Sequence, residues 1–326
     1  MTRTHVSHLC LLLLAFAGLT GMRASAQSLD TIPELIANGE ADHAIQYLKN
    51  RISTNAQDAP AHNLLCRVYF SEEHWDQAIS ECEQSVKLSS GTSEYHLWLG
   101  RAYGLKAEHV IFVTAIGLAK KVHREFQAAV DLAPNSIDAH SDLGEYFVEA
   151  PSFLGGGLDH AREQANALEP LDAPAAHWLR GRIAEKDSKS DEAEKEYRAA
   201  IASSKDAPIR WVDLASFYRH QKKYDAMQDA LTKAVGLDQQ KSVTYVEAAS
   251  QYETTGRNRQ TAIRLLREYL GSSHKTELQP ALHARMLLGK LLEKTGDRGG
   301  AAEQYRIALA TASDFAPARD AIDGMD

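Results

Sequence analysis

The sequence predicts an all-α solenoid, a right-handed superhelix of stacked helix-turn-helix units, and three observations carry that reading. The first is self-similarity at a fixed interval. His62 and His96, Leu65 and Leu99, Cys66 and Gly100, and Tyr69 and Tyr103 each stand 34 residues apart, as do Trp211 and Tyr245, and Tyr218 and Tyr252. The second is a pattern of small and groove-filling residues at helical spacing in alternate segments: Ala78-Cys82-Ser85, Ala161-Ala165-Leu168, Ala193-Tyr197-Ala200 and Ala301-Tyr305-Ala308. Small residues let two helices approach at a crossing, and an aromatic one turn on fills the groove beside it. The third is coverage, since the pattern runs through most of the chain after residue 58. A lone helical pair cannot bury its apolar face, so repeated pairs stack.

In chain order, residues 1–26 read as a secretory signal peptide: Arg3, the apolar run Leu9–Gly21, and an Ala24-Ser25-Ala26 end. The run is shorter than the roughly 20 residues a spanning helix needs. Cys10 lies inside it, so no lipoprotein-type acylation site follows. Export, periplasmic or secreted, is therefore expected, with no integral membrane span in the mature chain. Residues 27–58 form an N-terminal half-unit, with Ala44 and Leu48 in second-helix positions. Seven units occupy 59–315, beginning near Ala59, Ser93, Ile137, Pro174, Pro208, Ser242 and Leu282, and 316–326 begin a C-terminal cap.

Two units depart from the period. Within 104–121 ten extra residues, free of proline and rich in helix formers, are expected to lengthen both helices by more than a turn each. Within 150–157 five extra residues carry Pro151 and Gly155-Gly156-Gly157. Pro151 should end the preceding helix near Ala150, and Asp159 or the loop before it should cap the next. Both insertions lie at the turn between paired helices of adjacent units, so they should sit side by side, with Phe153 and Leu154 able to pack on the lengthened hairpin that carries Val110–Val113 and Ile116. Three glycines before a helix also resemble a phosphate loop. Such a loop needs a preceding strand and usually a Lys-Ser/Thr pair; here no strand is expected and Leu158-Asp159 follows. A structural turn is the preferred reading.

The 34-residue unit resembles the tetratricopeptide repeat (TPR), with its W-x2-L-G-x2-Y first helix and A-x3-F second helix. The "EAPSFLGGG" segment (149–157) with its long preceding hairpin looks like that of exported bacterial TPR proteins of unassigned role. The resemblance implies a concave groove lined largely by first-helix side chains, in which extended peptides commonly lie. The position after the small crossing residue supplies Arg67, Arg101, Glu145, Arg182, Ser216, Ser250 and Lys290, and Asn63, Leu97 and Trp178 stand nearby. Four of those seven are basic in a chain of formal net charge −8, a charge that becomes −10 once Arg3 and Arg23 leave with the signal. Arginines in a concave array suit carboxylates; ion pairs with neighbouring Asp and Glu are the competing use. The TPR carboxylate-clamp pattern of lysines and asparagines is not reproduced.

Other chemistry is scarce. His62, His96, His140 and His177 share one first-helix position, which Trp211 and Tyr245 fill later. Units stacked at about 10 Å place successive imidazoles too far apart to share a zinc, so a packing slot is expected and no metal. Cys66 and Cys82 lie on the two helices of one unit, offset by about a turn, so buried thiols are the default and a disulfide the alternative that export allows. No H-E-x-x-H, G-x-S-x-G or Walker-type motif occurs, and no cofactor is expected. An acidic chain without a basic tract argues against nucleic acid. The expectation is a non-catalytic adaptor or scaffold that binds a protein or peptide segment at Asn63, Arg67, Leu97, Arg101, Trp178 and Arg182. The apolar edge Val110, Ile111, Phe112, Phe153 and Leu154 would serve a second partner or self-association. The alternative is an accessory subunit or enzyme acting on a cell-envelope polymer, which would be marked by paired carboxylates of raised pKa facing each other across the groove.

Overall fold

The computed structural model describes residues 28–325, and among these the regular elements are all helical. The signal-peptide expectation for 1–26 lies outside the described residues. A shortened N-terminal pair, α1 (Ile32–Asn38) and α2 (Ala41–Thr54), precedes seven further pairs. These are α3 (Ala59–Ser71) with α4 (Trp75–Leu88), α5 (Ser93–Glu108) with α6 (Phe112–Leu132), and α7 (Ile137–Glu149) with α8 (Leu158–Leu168). Next come α9 (Ala173–Lys186) with α10 (Ser190–Ser203), α11 (Pro208–His220) with α12 (Tyr224–Leu237), α13 (Val243–Thr255) with α14 (Arg259–Leu270), and α15 (Ala281–Lys294) with α16 (Arg298–Leu309). A last helix, α17 (Ala316–Asp323), covers the end.

Local chemistry sets the boundaries. Asp58, Ser136, Asp172 and Asp297 accept the N–H of Ala61, Ala139, Ala175 and Gly300, capping α3, α7, α9 and α16. Pro60, Pro174 and Pro208 occupy first turns, where a missing N–H removes no helical bond. Within each pair the crossing is tight. A Cβ on Gly100 would stand 2.4 Å from the Phe126 ring, on Gly181 2.9 Å from Tyr197, and on Gly289 2.2 Å from Tyr305. Cys66 and Cys82 occupy those same two positions in the first full unit, with Cα atoms 5.3 Å apart and the sulfurs bonded. The default of free thiols is thus corrected. The crossing residue and the groove-filling residue face each other across the pair, as Gly100 and Phe126 do, so the offset counted along the sequence does not keep the two sulfurs apart.

The first insertion is also corrected in detail. α5 has 16 residues against 13 in α3, while α6 has 21 against 14 in α4, so most of the extra length falls on one helix. α6 can extend because Leu118, Val122, Phe126 and Ala129 keep one face buried, whereas α5 stops where His109 folds back to the Leu105 carbonyl at 2.8 Å and stacks on Trp75.

In the second insertion α7 ends at Glu149, before Pro151, and a 3-10 turn at Ser152–Leu154 leads into the glycines. Gly155 sits at φ +90, and a Cβ on Gly156 would stand 1.8 Å from the Ala150 carbonyl oxygen. The N–H groups of Gly155, Gly156 and Gly157 donate to the carbonyls of Ser152, Pro151 and Phe147, so all three amides are spent on the turn itself. Asp159 does not cap α8; it pairs with Arg162 at 2.6 Å. The two insertions do lie together. Tyr146 donates to the Leu154 carbonyl at 2.7 Å and stacks on His123 of α6. The glycine loop leaves the hairpin tip bare, however. Ile111, Phe112 and Val113 are 76%, 72% and 77% exposed, and Phe153 of the glycine loop is exposed too, while Val110 and Leu154 are half-buried.

The superhelix comes round on itself. Asp42 of α2 donates its N–H to the Thr311 carbonyl at 3.0 Å and accepts from Ser313. His74 meets the Asp314 carbonyl at 3.0 Å, and His283 meets that of Ser71 at 3.0 Å. α1 packs on α15, and the link 271–280 between α14 and α15 reaches across the concave side to α3.

Candidate functional site

The concave face is built from first helices, and three of the sequence-predicted residues meet there. Arg67 of α3, with Leu97 and Arg101 of α5, lines a cavity of about 600 Å³ closed on its far side by Thr276, Glu277 and Leu278. Trp98, missed in the sequence, holds the group together. The Arg67 guanidinium lies 4.8 Å from its ring and that of Arg101 5.1 Å, an arrangement that orients both cations without neutralising them. Arg67 faces Glu277 with two parallel N–H groups, Nε to Oε2 at 2.7 Å and Nη2 to Oε1, and its Nη1 reaches Glu94 at 2.9 Å. Both Arg67 and Glu277 are largely buried, with side chains 11% and 17% exposed.

Other members of the basic column are engaged by their neighbours. Arg101 also donates to Asp142 at 2.6 Å, and Arg182 binds Glu145 at 2.5 Å and Glu149 at 2.8 Å. Burial would lower the Arg182 pKa, but the adjacent Glu145 more than offsets it and the group is held further in its charged form. These two arginines serve as rungs between consecutive first helices, the competing use foreseen for them. Lys290 is exposed. Asn63 does not reach the cavity: it is buried, and its amide nitrogen has no hydrogen-bond partner among the described residues. Trp178 is half-buried and packs against the core.

A second cavity of about 500 Å³ adjoins the first, with Phe70, Leu105, Val122, Phe126 and Tyr146 in its wall and Leu278 at its edge. Farther along the face, two carboxylates carry raised pKa values. Burial pushes Asp213 up to about 6 against the pull of Arg210, 2.9 Å away, and burial also raises Glu247, which accepts from Gln279 at 2.7 Å. They stand 34 residues apart, at one register of adjacent first helices, and each has its own partner.

The histidine column has a use beyond packing. Nδ1 of His62, His96, His140 and His177 meets Glu81, Glu125, Gln164 and Glu196 of the paired second helix at 2.6, 2.7, 2.7 and 2.7 Å. In the first three, Nε2 meets a carbonyl of the preceding loop, at Ala56, Ser90 and Pro134. The first three imidazoles staple their helical pair to the link before it, and His177 joins the two helices of its own pair. The His96 pKa is raised chiefly by its hydrogen bond to Glu125. Among the described residues no group of three or more His, Cys, Asp or Glu side chains is placed to hold a metal ion, and no helix is long and apolar enough to cross a membrane.

A tetratricopeptide-repeat family model matches two overlapping stretches, residues 156–208 and 179–241. Among solved structures the chain is similar to yeast Tom70, at 13% identity over 92% of this chain and 66% of that one, with a TM-score of 0.53. It also matches a chain of the APC/C hetero-tetramer Cut9–Hcn1, at 18% identity over 79% of this chain and 47% of that one, with a TM-score of 0.47. A thermophilic TPR protein of Thermus thermophilus matches at 21% identity over 60% of this chain and 99% of that one, with a TM-score of 0.45. The chain spans about half the Cut9–Hcn1 chain and two thirds of Tom70. No curated protein matches it. With repeats matched at 156–241 and the same helical pairing from Ala59 to Leu309, the chain is an all-α solenoid that carries tetratricopeptide repeats.

Proposed function

We propose that this chain is a non-catalytic adaptor that takes a peptide or protein segment into the groove formed by Arg67, Leu97, Trp98 and Arg101. One observation carries the reading: a non-helical segment already lies across that groove, with its carboxylate gripped by an arginine stacked on tryptophan. A guanidinium positioned in this way discriminates a planar carboxylate from other groups. Export is part of the proposal, supported by the leader-like residues 1–26 and by the Cys66–Cys82 bridge, a bond that persists in oxidising compartments. The exposed Ile111–Phe112–Val113 tip with Phe153 supplies a second contact surface or a self-association site.

The test is a pull-down from an envelope fraction with the parent and an Arg67→Gln/Arg101→Gln variant, both checked by circular dichroism. A partner retained by the parent and lost by the variant is expected. Equal recovery by both would overturn the groove as the binding surface. Elution volume of an Ile111→Lys/Phe112→Lys variant reads self-association in the same preparation. A second reading, action on an envelope polymer, draws support from the raised pKa values of Asp213 and Glu247. Polymer cleavage by the parent that an Asp213→Asn variant lacks would favour it.

A further inference from the structure

The link 271–280 is where the repeat pattern and the groove meet. From Ser242 to Leu282 is 40 residues, six beyond the period, so this link is longer than the regular unit requires. It is fastened to its own unit at both ends. Tyr269 donates its hydroxyl to the Gln279 carbonyl, Gln279 donates to Glu247 at 2.7 Å, and Lys275 reaches back to the carbonyls of Leu270 and Ser272. Between these anchors, Thr276, Glu277 and Leu278 cross to the opposite wall. Glu277 is the residue that docks, while Thr276 and Leu278 on either side of it are exposed.

The seating is incomplete. Leu278 is 51% exposed although it stands at the edge of the 500 Å³ cavity walled by Phe70, Leu105, Val122, Phe126 and Tyr146. A leucine side chain left half in water beside an apolar cavity forgoes part of the burial energy open to it. The tether explains this, because the ends of the link are fixed to α13 and α14 and hold Leu278 at the rim. An untethered segment of the same chemistry could place its carboxylate on Arg67 and its aliphatic side chain deeper in the cavity.

Building on the groove reading above, we propose that the groove's ligand is a non-helical segment with a carboxylate side chain followed by a large aliphatic one, and that Glu277-Leu278 is the chain's own copy of it, held in place until such a segment displaces it. The link is an intramolecular competitor. A tethered ligand acts at an effective concentration in the millimolar range, so it weakens apparent binding of a free ligand until it is removed or outcompeted. Displacing it costs one bidentate ion pair and leaves the anchors at Tyr269 and Gln279 in place.

The test uses a fluorescein-labelled Lys-Thr-Glu-Leu-Gln-Pro peptide, the sequence of residues 275–280, and the same peptide with glutamine in place of glutamate. Binding is read by fluorescence anisotropy on the full mature chain, its Glu277→Gln variant, and a Glu277→Gln/Arg67→Gln double variant, all with matching circular dichroism. The expected result is that Glu277→Gln binds the acidic peptide at least about tenfold more tightly than the parent. The double variant and the glutamine peptide should each lose that gain. Equal affinity of parent and Glu277→Gln for the acidic peptide, or equal binding of both peptides, overturns the proposal. If the envelope partner is still lost on Arg67→Gln/Arg101→Gln substitution, that failure leaves the groove reading standing. If neither peptide nor envelope partner depends on these residues, both fall.

Discussion

Replacing Glu72 with glutamine tests how the superhelix is closed. Glu72 sits at the end of α3, is fully buried, and neither carboxylate oxygen has a hydrogen-bond partner among the described residues. Burial pushes its pKa up to about 7, and the nearby charges of Asp42 and Asp314 push the same way, with Lys49 opposing. His74 lies 3.8 Å from it. Asp42 and Asp314 belong to the two ends of the chain that meet here, so the carboxyl reports on their contact. In the unfolded chain it titrates near 4.5. Between those two values the folded chain binds more protons than the unfolded one, so stability is present in full below about pH 4.5 and falls as pH rises through about 7. One pKa unit corresponds to about 1.4 kcal/mol, and from about pH 5 to about pH 8 the loss at this site comes to about 2 kcal/mol. Glutamine keeps the shape and removes the titration. Urea unfolding of parent and Glu72→Gln at both pH values, compared by midpoint at constant slope, should therefore show the variant's advantage growing by about 2 kcal/mol from the acid to the alkaline condition. An advantage that stays constant, or shrinks as pH rises, would refute the assignment of a buried neutral carboxyl at the closure.

Two further outcomes follow from the packing. The Cys66–Cys82 bridge closes a loop of residues 16 apart in sequence, so Cys66→Ser/Cys82→Ser should lower stability by about 3 kcal/mol, and reducing agent should lower the parent's Tm toward the variant's; a Tm insensitive to reductant would speak against the bridge. Gly289→Ala places a methyl group 2.2 Å from the Tyr305 ring, whose hydroxyl is anchored on Glu293 at 2.5 Å, so a loss of about 1–3 kcal/mol in thermal or urea unfolding is expected, and a neutral result would mean that the α15–α16 crossing is looser than described.

The repeat was legible because the packing that makes it is local. Gly100 against Phe126 and Gly289 against Tyr305 are contacts within one helical pair, and a 34-residue spacing of small and aromatic residues records them directly. The same holds for the insertions, which shift the histidine staple from a separation of 19 residues in His62–Glu81 to 29 in His96–Glu125 and 24 in His140–Gln164. The staple's Glu and Gln ends lie in plain view in the sequence, but only the pairing of helices shows that they face the imidazoles. The disulfide is not legible for a related reason: spacing along two antiparallel helices does not show that residues 66 and 82 face each other with Cα atoms 5.3 Å apart.

The candidate groove was legible by half. Sequence placed Arg67, Leu97 and Arg101 on one face, because first-helix register repeats faithfully from unit to unit. It could not place Trp98 between the two guanidinium groups, since that depends on how far α3 and α5 are rotated against each other. Nor could it bring Glu277 to Arg67, 210 residues away. The six residues added before α15 were a visible irregularity, yet their destination depends on the curvature of the whole superhelix, the sum of small rotations at every interface between pairs. Sequence by itself therefore determined the unit and the faces of its helices, both set by contacts within one repeat or between neighbours. Tertiary structure alone decided that the last units return to the first, that a buried acid sits at their meeting, and that the chain's own link lies in the groove, because those contacts are closed only by curvature accumulated along the entire chain.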